Sequence, residues 1–150
     1  MVSTRILVPL VILVVVIGLG IGYYLSTGGG GLEFKDGYAV ALPMGGGAFM
    51  TIHNGYKTTV CLVKAEMPDN PEAVVELHQT VVDQRGVARM EPVDKICAGP
   101  GEDLVLKHGG YHVMIMNTKL EPGTTIKLVL TFDNGDVMTV ELPVKAKGES

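Results

Sequence analysis

The sequence predicts an all-β domain, folded as an antiparallel sandwich and carried behind one N-terminal transmembrane helix. Three observations predict it. The chain opens on a charge-free apolar run, Ile6 to Leu25. The remainder is dominated by short stretches of apolar–polar alternation separated by Gly, Pro, Asn and Asp. No long segment of that remainder repeats its apolar residues at the 3.6-residue period of an amphipathic helix.

The run ILVPLVILVVVIGLGIGYYL is 20 residues long, the length at which a helix crosses roughly 30 Å of hydrocarbon. Its many valines would suit a strand in water. In lipid a lone segment must satisfy its own backbone, which only a helix does. Pro9 falls in the first turn, where a missing N–H matters little, and Tyr23 and Tyr24 stand where an interfacial aromatic belt would lie. A cleaved signal peptide is the competing reading. Such peptides have apolar cores of about 7–15 residues and end in small residues at the cleavage site. This run is longer and Ser26-Thr27-Gly28 is a poor site, so residues 1–27 are read as an anchor. Either way the rest is exported: Arg5 precedes the run while Glu33, Lys35 and Asp36 come after it, and the positive-inside rule puts the domain beyond it outside the cytoplasm.

The four glycines 28–31 start a flexible linker and lead-in, residues 28–42. The sandwich is expected over 43–146, with 147–150 as a tail. One of the twelve basic residues, Arg5, lies before the run, so all 16 acidic residues face only 11 basic ones in the rest of the chain. That balance, with no basic cluster, argues against nucleic acid as a partner. Cys61 and Cys97 are the only cysteines. An oxidising compartment permits a disulfide between them, and the sequence leaves the pairing open.

Gly45-Gly46-Gly47 is read as a turn, with alternation beginning after it. Strands are expected at Ala48–His53, Thr59–Ala65, Ala73–His78, Asp103–Lys107, Tyr111–Asn117, Thr125–Phe132 and Val137–Val144. The last two are the clearest. Ile126, Leu128, Leu130 and Phe132 form one apolar face, Asp133-Asn134-Gly135-Asp136 supplies an Asn-Gly hairpin signal, and Met138, Val140, Leu142 and Val144 form the matching face. Seven short strands with turns between them point to an antiparallel sandwich or barrel.

Several chemistries are excluded. Serine occurs only at 3, 26 and 150, so the domain has no internal serine nucleophile. Nucleotide-binding glycine loops and Cys-x-x-Cys are absent. Paired carboxylates such as Glu102-Asp103 read as solvated turn residues, and no nucleophile–base pair suggests an enzyme. What remains is a set of soft and borderline metal ligands: eight Met and four His. In a strand His112, Met114 and Met116 share one face, with neighbours on that face about 6.5–7 Å apart at Cα. Taken alone, His112-x-Met114 reads better as packing than as a ligand pair, because Met is a common gap-filler. Met116 is assigned to core packing, Met50, Met67 and Met138 to core or surface, and His53 and His108 to structural or exposed positions, with His108 close enough to His112 to be a spare ligand.

The wider spacing changes the weighing. Twenty-one residues separate Met90 from His112, and ten separate the dipeptide His78-Gln79 from Met90. With Met and His this scarce, both offsets arise by chance about once in 700. The pattern resembles the H(M)-x10-M-x21-H-x-M motif of the periplasmic copper chaperone family PCu(A)C, associated with the CuA centre of cytochrome oxidase. Glu76-Leu77-His78, Met90-Glu91-Pro92-Val93, Gly109-Gly110-Tyr111-His112-Val113-Met114 and the ending LVLTFDNGDVMTVELPV are similar to that family's blocks, and the likeness runs from about Pro43 to Val144.

The resemblance implies a cupredoxin-like β-sandwich that binds copper(I) through His78, Met90, His112 and Met114. It also implies delivery to a membrane-associated acceptor, a cytochrome oxidase subunit or its assembly factor. The chain departs from the family at Gln79, where a second Met is common, at His108, where proline is common, and at Cys61 and Cys97, where polar residues are usual. The ligand types fit the metal: thioether sulfur prefers copper(I), and a blue-copper site would need a thiolate. Two alternatives remain open, copper sequestration for tolerance and a metal-free structural sandwich. The second requires His78 and His112 to lie far apart.

Overall fold

The computed structural model describes residues 24–27 and 31–148. Its strands, in chain order, are β1 (Tyr24–Thr27), β2 (Leu32–Leu42), β3 (Gly45–Asn54), β4 (Val60–Glu66), β5 (Val74–Val82), β6 (Ala88–Pro92), β7 (Ile96–Ala98), β8 (Asp103–Leu106), β9 (Tyr111–Met116), β10 (Thr125–Phe132) and β11 (Val137–Lys145). One sheet runs β1–β11–β10–β4–β7 and the other β2–β3–β9–β5–β6, with β8 beside the far half of β3. The end of β11 passes from the first sheet to the second, where Val144 and Lys145 pair with Ala39 and Val40 of β2. That contact is parallel, a correction to the all-antiparallel expectation, and every other pairing among the described residues is antiparallel.

The period-2 pattern builds the core directly. Leu128, Leu130 and Phe132 of β10 and Met138, Val140, Leu142 and Val144 of β11 are buried, as the alternation predicts, with Ile126 packed against them. From the facing sheet come Ile52, Leu77, Val113 and Ile115. The expected hairpin joins β10 to β11, with Gly135 at a φ of 94° that an Asn-Gly turn demands.

Several sequence expectations need correcting. The segment expected to be a lead-in contains β2, eleven residues paired with β3 along its length and burying Leu32, Phe34 and Ala39. A register shift between Phe34 and Asp36 breaks its alternation, which is why the period was hidden. The triglycine is not the turn; residues 43 and 44 turn, and Gly45 to Gly47 lie inside β3, squeezed between β2 and β9. A Cβ on Gly45 would stand 2.0 Å from the Ile115 carbonyl oxygen and one on Gly46 would stand 2.3 Å from that of Val40. Glycine is there for close strand approach. The edge strands β6 and β7 escaped the sequence pattern because they are only five and three residues long. Finally, Tyr24 and Leu25 belong to β1, paired with Val140 and Thr139, so a helix cannot extend through them. The rest of the expected span lies outside the described residues, among which no helix is long and apolar enough to cross a membrane.

Cys61 and Cys97, whose pairing the sequence leaves open, are register partners on β4 and β7 and form a disulfide. Beside it the buried Asn54 side chain donates to the carbonyls of Thr58, Ala98 and Gly99 and accepts from the Tyr56 amide. Together they fasten the three-residue β7 to the body of the domain.

Candidate metal centre

The centre is assembled on three neighbouring strands, β6, β5 and β9. Leu77, Val113 and Ile115 point into the core, so alternation turns His78, His112 and Met114 to the outer face of the same sheet. Pairing then brings the pieces together. His78 is the direct cross-strand partner of His112, Glu76 that of Met114, and Thr80 that of Met90. All four expected ligands therefore share one face of adjacent strands, although His78 and His112 are 34 positions apart in the chain. The structural-sandwich alternative required those histidines to be distant, and they are not.

The two imidazoles are buried, with His112 2% exposed and His78 8% exposed, and their ring centroids are 5.9 Å apart. Metal–nitrogen bonds of about 2.0–2.1 Å place a ring centroid roughly 3 Å from its ion, so this separation accommodates one ion shared by both rings. Each ring has one nitrogen engaged and one bare. His78 Nε2 is 2.9 Å from a Glu76 carboxylate oxygen, and His112 Nδ1 is 3.2 Å from the Gly110 carbonyl. Both acceptors make those nitrogens the N–H donors. The nitrogens left over, His78 Nδ1 and His112 Nε2, are buried and have no hydrogen-bond partner. Buried polar atoms without a partner are rare. An ion held between them would satisfy both lone pairs, and the engaged nitrogens then play the orienting part that metal-bound histidines usually require. Burial, helped by the nearby His78 and His108, pushes the His112 imidazolium below its ordinary pKa against the opposing pull of the Gly110 carbonyl. The ring is thus neutral at neutral pH, with its lone pair available.

Among the described residues no three His, Cys, Asp or Glu side chains converge to hold an ion. Two thioethers, Met90 and Met114, lie on the same face as the histidine pair. Both line a groove of about 520 Å³ together with His112, Thr80, Gly47, Phe49 and His108. His78 does not line it and sits one strand over from His112. Met90 is 49% exposed on the edge strand. Met114 is half-buried opposite Gly47, whose missing side chain keeps the groove open beside it.

Of the remaining candidates, Met50 and Met138 are core, Met67 is packed against the core, and Met116 is half-buried on the outer face rather than in the core. His53 pairs with its cross-strand neighbour Asp103 at 2.8 Å. His108, expected to be structural or exposed and near His112, is exposed and lines the groove, 6.3 Å from Phe49 ring to ring. Sequence reasoning missed Glu76, whose position two residues before His78 on the same strand face was the available signal. It also missed Thr80, whose buried hydroxyl has no partner.

The fold matches solved domains. The structure named "Copper-bound PCuAC domain from PmoF2" superposes with a TM-score of 0.63 at 17% identity, covering 81% of this chain and 98% of that one. "Solution structure of CuI-DR1885 from Deinococcus Radiodurans" superposes at 0.55 with 27% identity over 76% of this chain and 78% of that one. The architecture is thus that of PCuAC domains. Among curated sequences, "Putative lipoprotein Lxx21020" of Leifsonia xyli subsp. xyli is 31% identical over 100 residues, 65% of this chain. The match spans 59% of that relative's length. Residues 32–144, essentially the whole sandwich, match the profile described as "Putative lipoprotein LpqE-like", and the chain belongs to the LpqE-like family.

Proposed function

We propose that this protein is an extracytoplasmic copper(I) chaperone. His78, Met90, His112 and Met114 hold one copper(I) ion as cargo and release it to a membrane-associated acceptor, such as the CuA centre of a cytochrome oxidase. The observation that carries the reading is the pair of bare, buried nitrogens on cross-strand histidines with two thioethers on the same face. The PCuAC architecture supports it, as does the 27% identical neighbour, whose name carries CuI. A neutral His₂Met₂ set is soft enough for copper(I) and offers no thiolate to hold the ion against a partner or to be oxidised.

Membrane attachment keeps such a donor at the surface where its acceptor resides, raising effective concentration. The relatives are described as lipoproteins, yet both cysteines of this chain are bonded to each other. Attachment in this reading rests on the part of the apolar run that comes before β1, residues 6–23.

Oxygen-free titration of the protein with copper(I) against a chromogenic chelator is expected to give one equivalent bound. His112→Ala is expected to weaken that binding by more than about 100-fold, since a lost ligand should exceed the 10–100-fold typical of a lost outer-shell partner. No binding, or binding indifferent to the substitution, would return the four residues to packing. Glu76→Ala removes only the group that orients His78. It is expected to lower copper(I) affinity by about 10-fold while leaving the stoichiometry at one.

A further inference from the structure

The groove beside the candidate ligands is much larger than its cargo. Its volume is about 520 Å³, whereas even a whole water molecule occupies about 30 Å³ of the liquid. Volumes of about 300–1,000 Å³ belong to sites that take organic groups. The walls are apolar and aromatic: Tyr38, Val40 and Leu42 from β2, Phe49 from β3, and the two candidate thioethers. Its rim is cationic. Lys147 lines it, and the Lys145 ammonium sits 4.7 Å over the ring of the lining residue Tyr38. Lys107 and His108 lead into the lining residue Gly109 on another side. Lys107, Lys145 and Lys147 have no ion-pair partner among the described residues. Two carboxylates on the strands that carry the ligands are already engaged, Glu76 by His78 and Glu91 by Arg89. A chain with net charge −4 thus turns a positive edge toward its copper groove.

We propose that this groove is the docking site of the copper acceptor, and that the docking element is a polypeptide segment carrying a methionine flanked by carboxylates. The proposal rests on the copper-chaperone reading and deepens it by naming the partner's chemistry. The apolar walls receive the partner's thioether, which enters next to Met90 and Met114 and can replace them one at a time on the ion. The lysine rim receives the flanking carboxylates and sets the approach. No bond other than metal–ligand bonds is exchanged and the copper stays copper(I). Charge at the rim acts mainly on the encounter rate and screens with salt over about 10 Å at 0.1 M. It should leave the affinity for the ion itself alone.

The test uses the full chain in nonionic detergent, loaded with one equivalent of copper(I). Two synthetic peptides with the same Met-x-x-Met core serve as acceptors, one flanked by Asp and Glu, the other by Lys. At low ionic strength transfer to the acidic peptide is expected to be at least about 10-fold faster, a difference that falls as salt is added. In the double variant Lys145→Glu, Lys147→Glu that preference should disappear or reverse, with copper(I) affinity unchanged. Equal rates for the two peptides, or a preference that survives charge reversal, would overturn the proposal. Should the wild type take up no copper(I), the chaperone reading fails, and the docking surface is then judged on the metal-free chain. There a fluorescent acidic peptide must bind more tightly than its basic counterpart and lose that advantage in the double variant, or the docking surface fails too.

Discussion

Met90→Ala, Met114→Ala is expected to lose copper(I) by on the order of 10³-fold while losing copper(II) by no more than about 10-fold. The size follows from removing two ligands, each worth at least the 10–100-fold of an outer-shell contact. The asymmetry follows from softness: thioether sulfur favours copper(I), whereas the two imidazoles that remain serve either oxidation state. Neither change should harm the fold. Met90 is 49% exposed on an edge strand and Met114 is half-buried on the outer face, with Val113 and Ile115 holding β9 to the core. Thermal unfolding of the variant, run beside the two titrations, checks that. Equal losses for both oxidation states would show that the thioethers do not discriminate and would remove the softness argument for the cargo.

The register explains how residues far apart in the chain come together. The resemblance to the copper chaperone family pointed to His78, Met90, His112 and Met114, and pairing of β5 with β9 and β6 places all four on one face of adjacent strands. In β5 and β9 the alternation turns Leu77, Val113 and Ile115 to the core and His78, His112 and Met114 to the other face. The parts that stayed hidden lack that pattern for identifiable reasons. A bulge at residues 34–36 interrupts β2. The triglycine of β3 looks like a turn because its lack of side chains serves strand contact instead. β6 is exposed along most of its length, so there is no buried face to alternate with. The partner-bearing atoms were also out of reach: which histidine nitrogen is bare depends on Glu76 and on the Gly110 carbonyl, and neither contact follows from residue spacing.

The second large effect concerns the bridge at the opposite edge of the strand order. Cys61→Ala, Cys97→Ala is expected to lower stability by about 3–4 kcal/mol and the melting temperature by on the order of 10 °C, with copper(I) affinity changed by less than about 2-fold. The stability figure comes from releasing the 36-residue closure that the bridge imposes on the unfolded chain. Besides the bridge, β7 is held by its pairing with β4, by burial of Ile96 and Ala98 in the core, and by the carbonyl contacts from Asn54 to Ala98 and Gly99. The affinity should stand because the candidate ligands lie on the outer face of β5, β6 and β9, whereas β7 pairs with β4 in the other sheet. Substitution is a cleaner test than reduction, since free thiolates bind copper(I) more strongly than thioethers and would add a competing site. Differential scanning calorimetry measures the first half and the chelator competition the second. A melting temperature within about 2 °C of wild type would mean that strand pairing, core burial and the Asn54 contacts alone hold β7. A collapse of copper binding in a folded variant would mean that the two edges of the sandwich are coupled, and that the bridge belongs to the metal centre's own support.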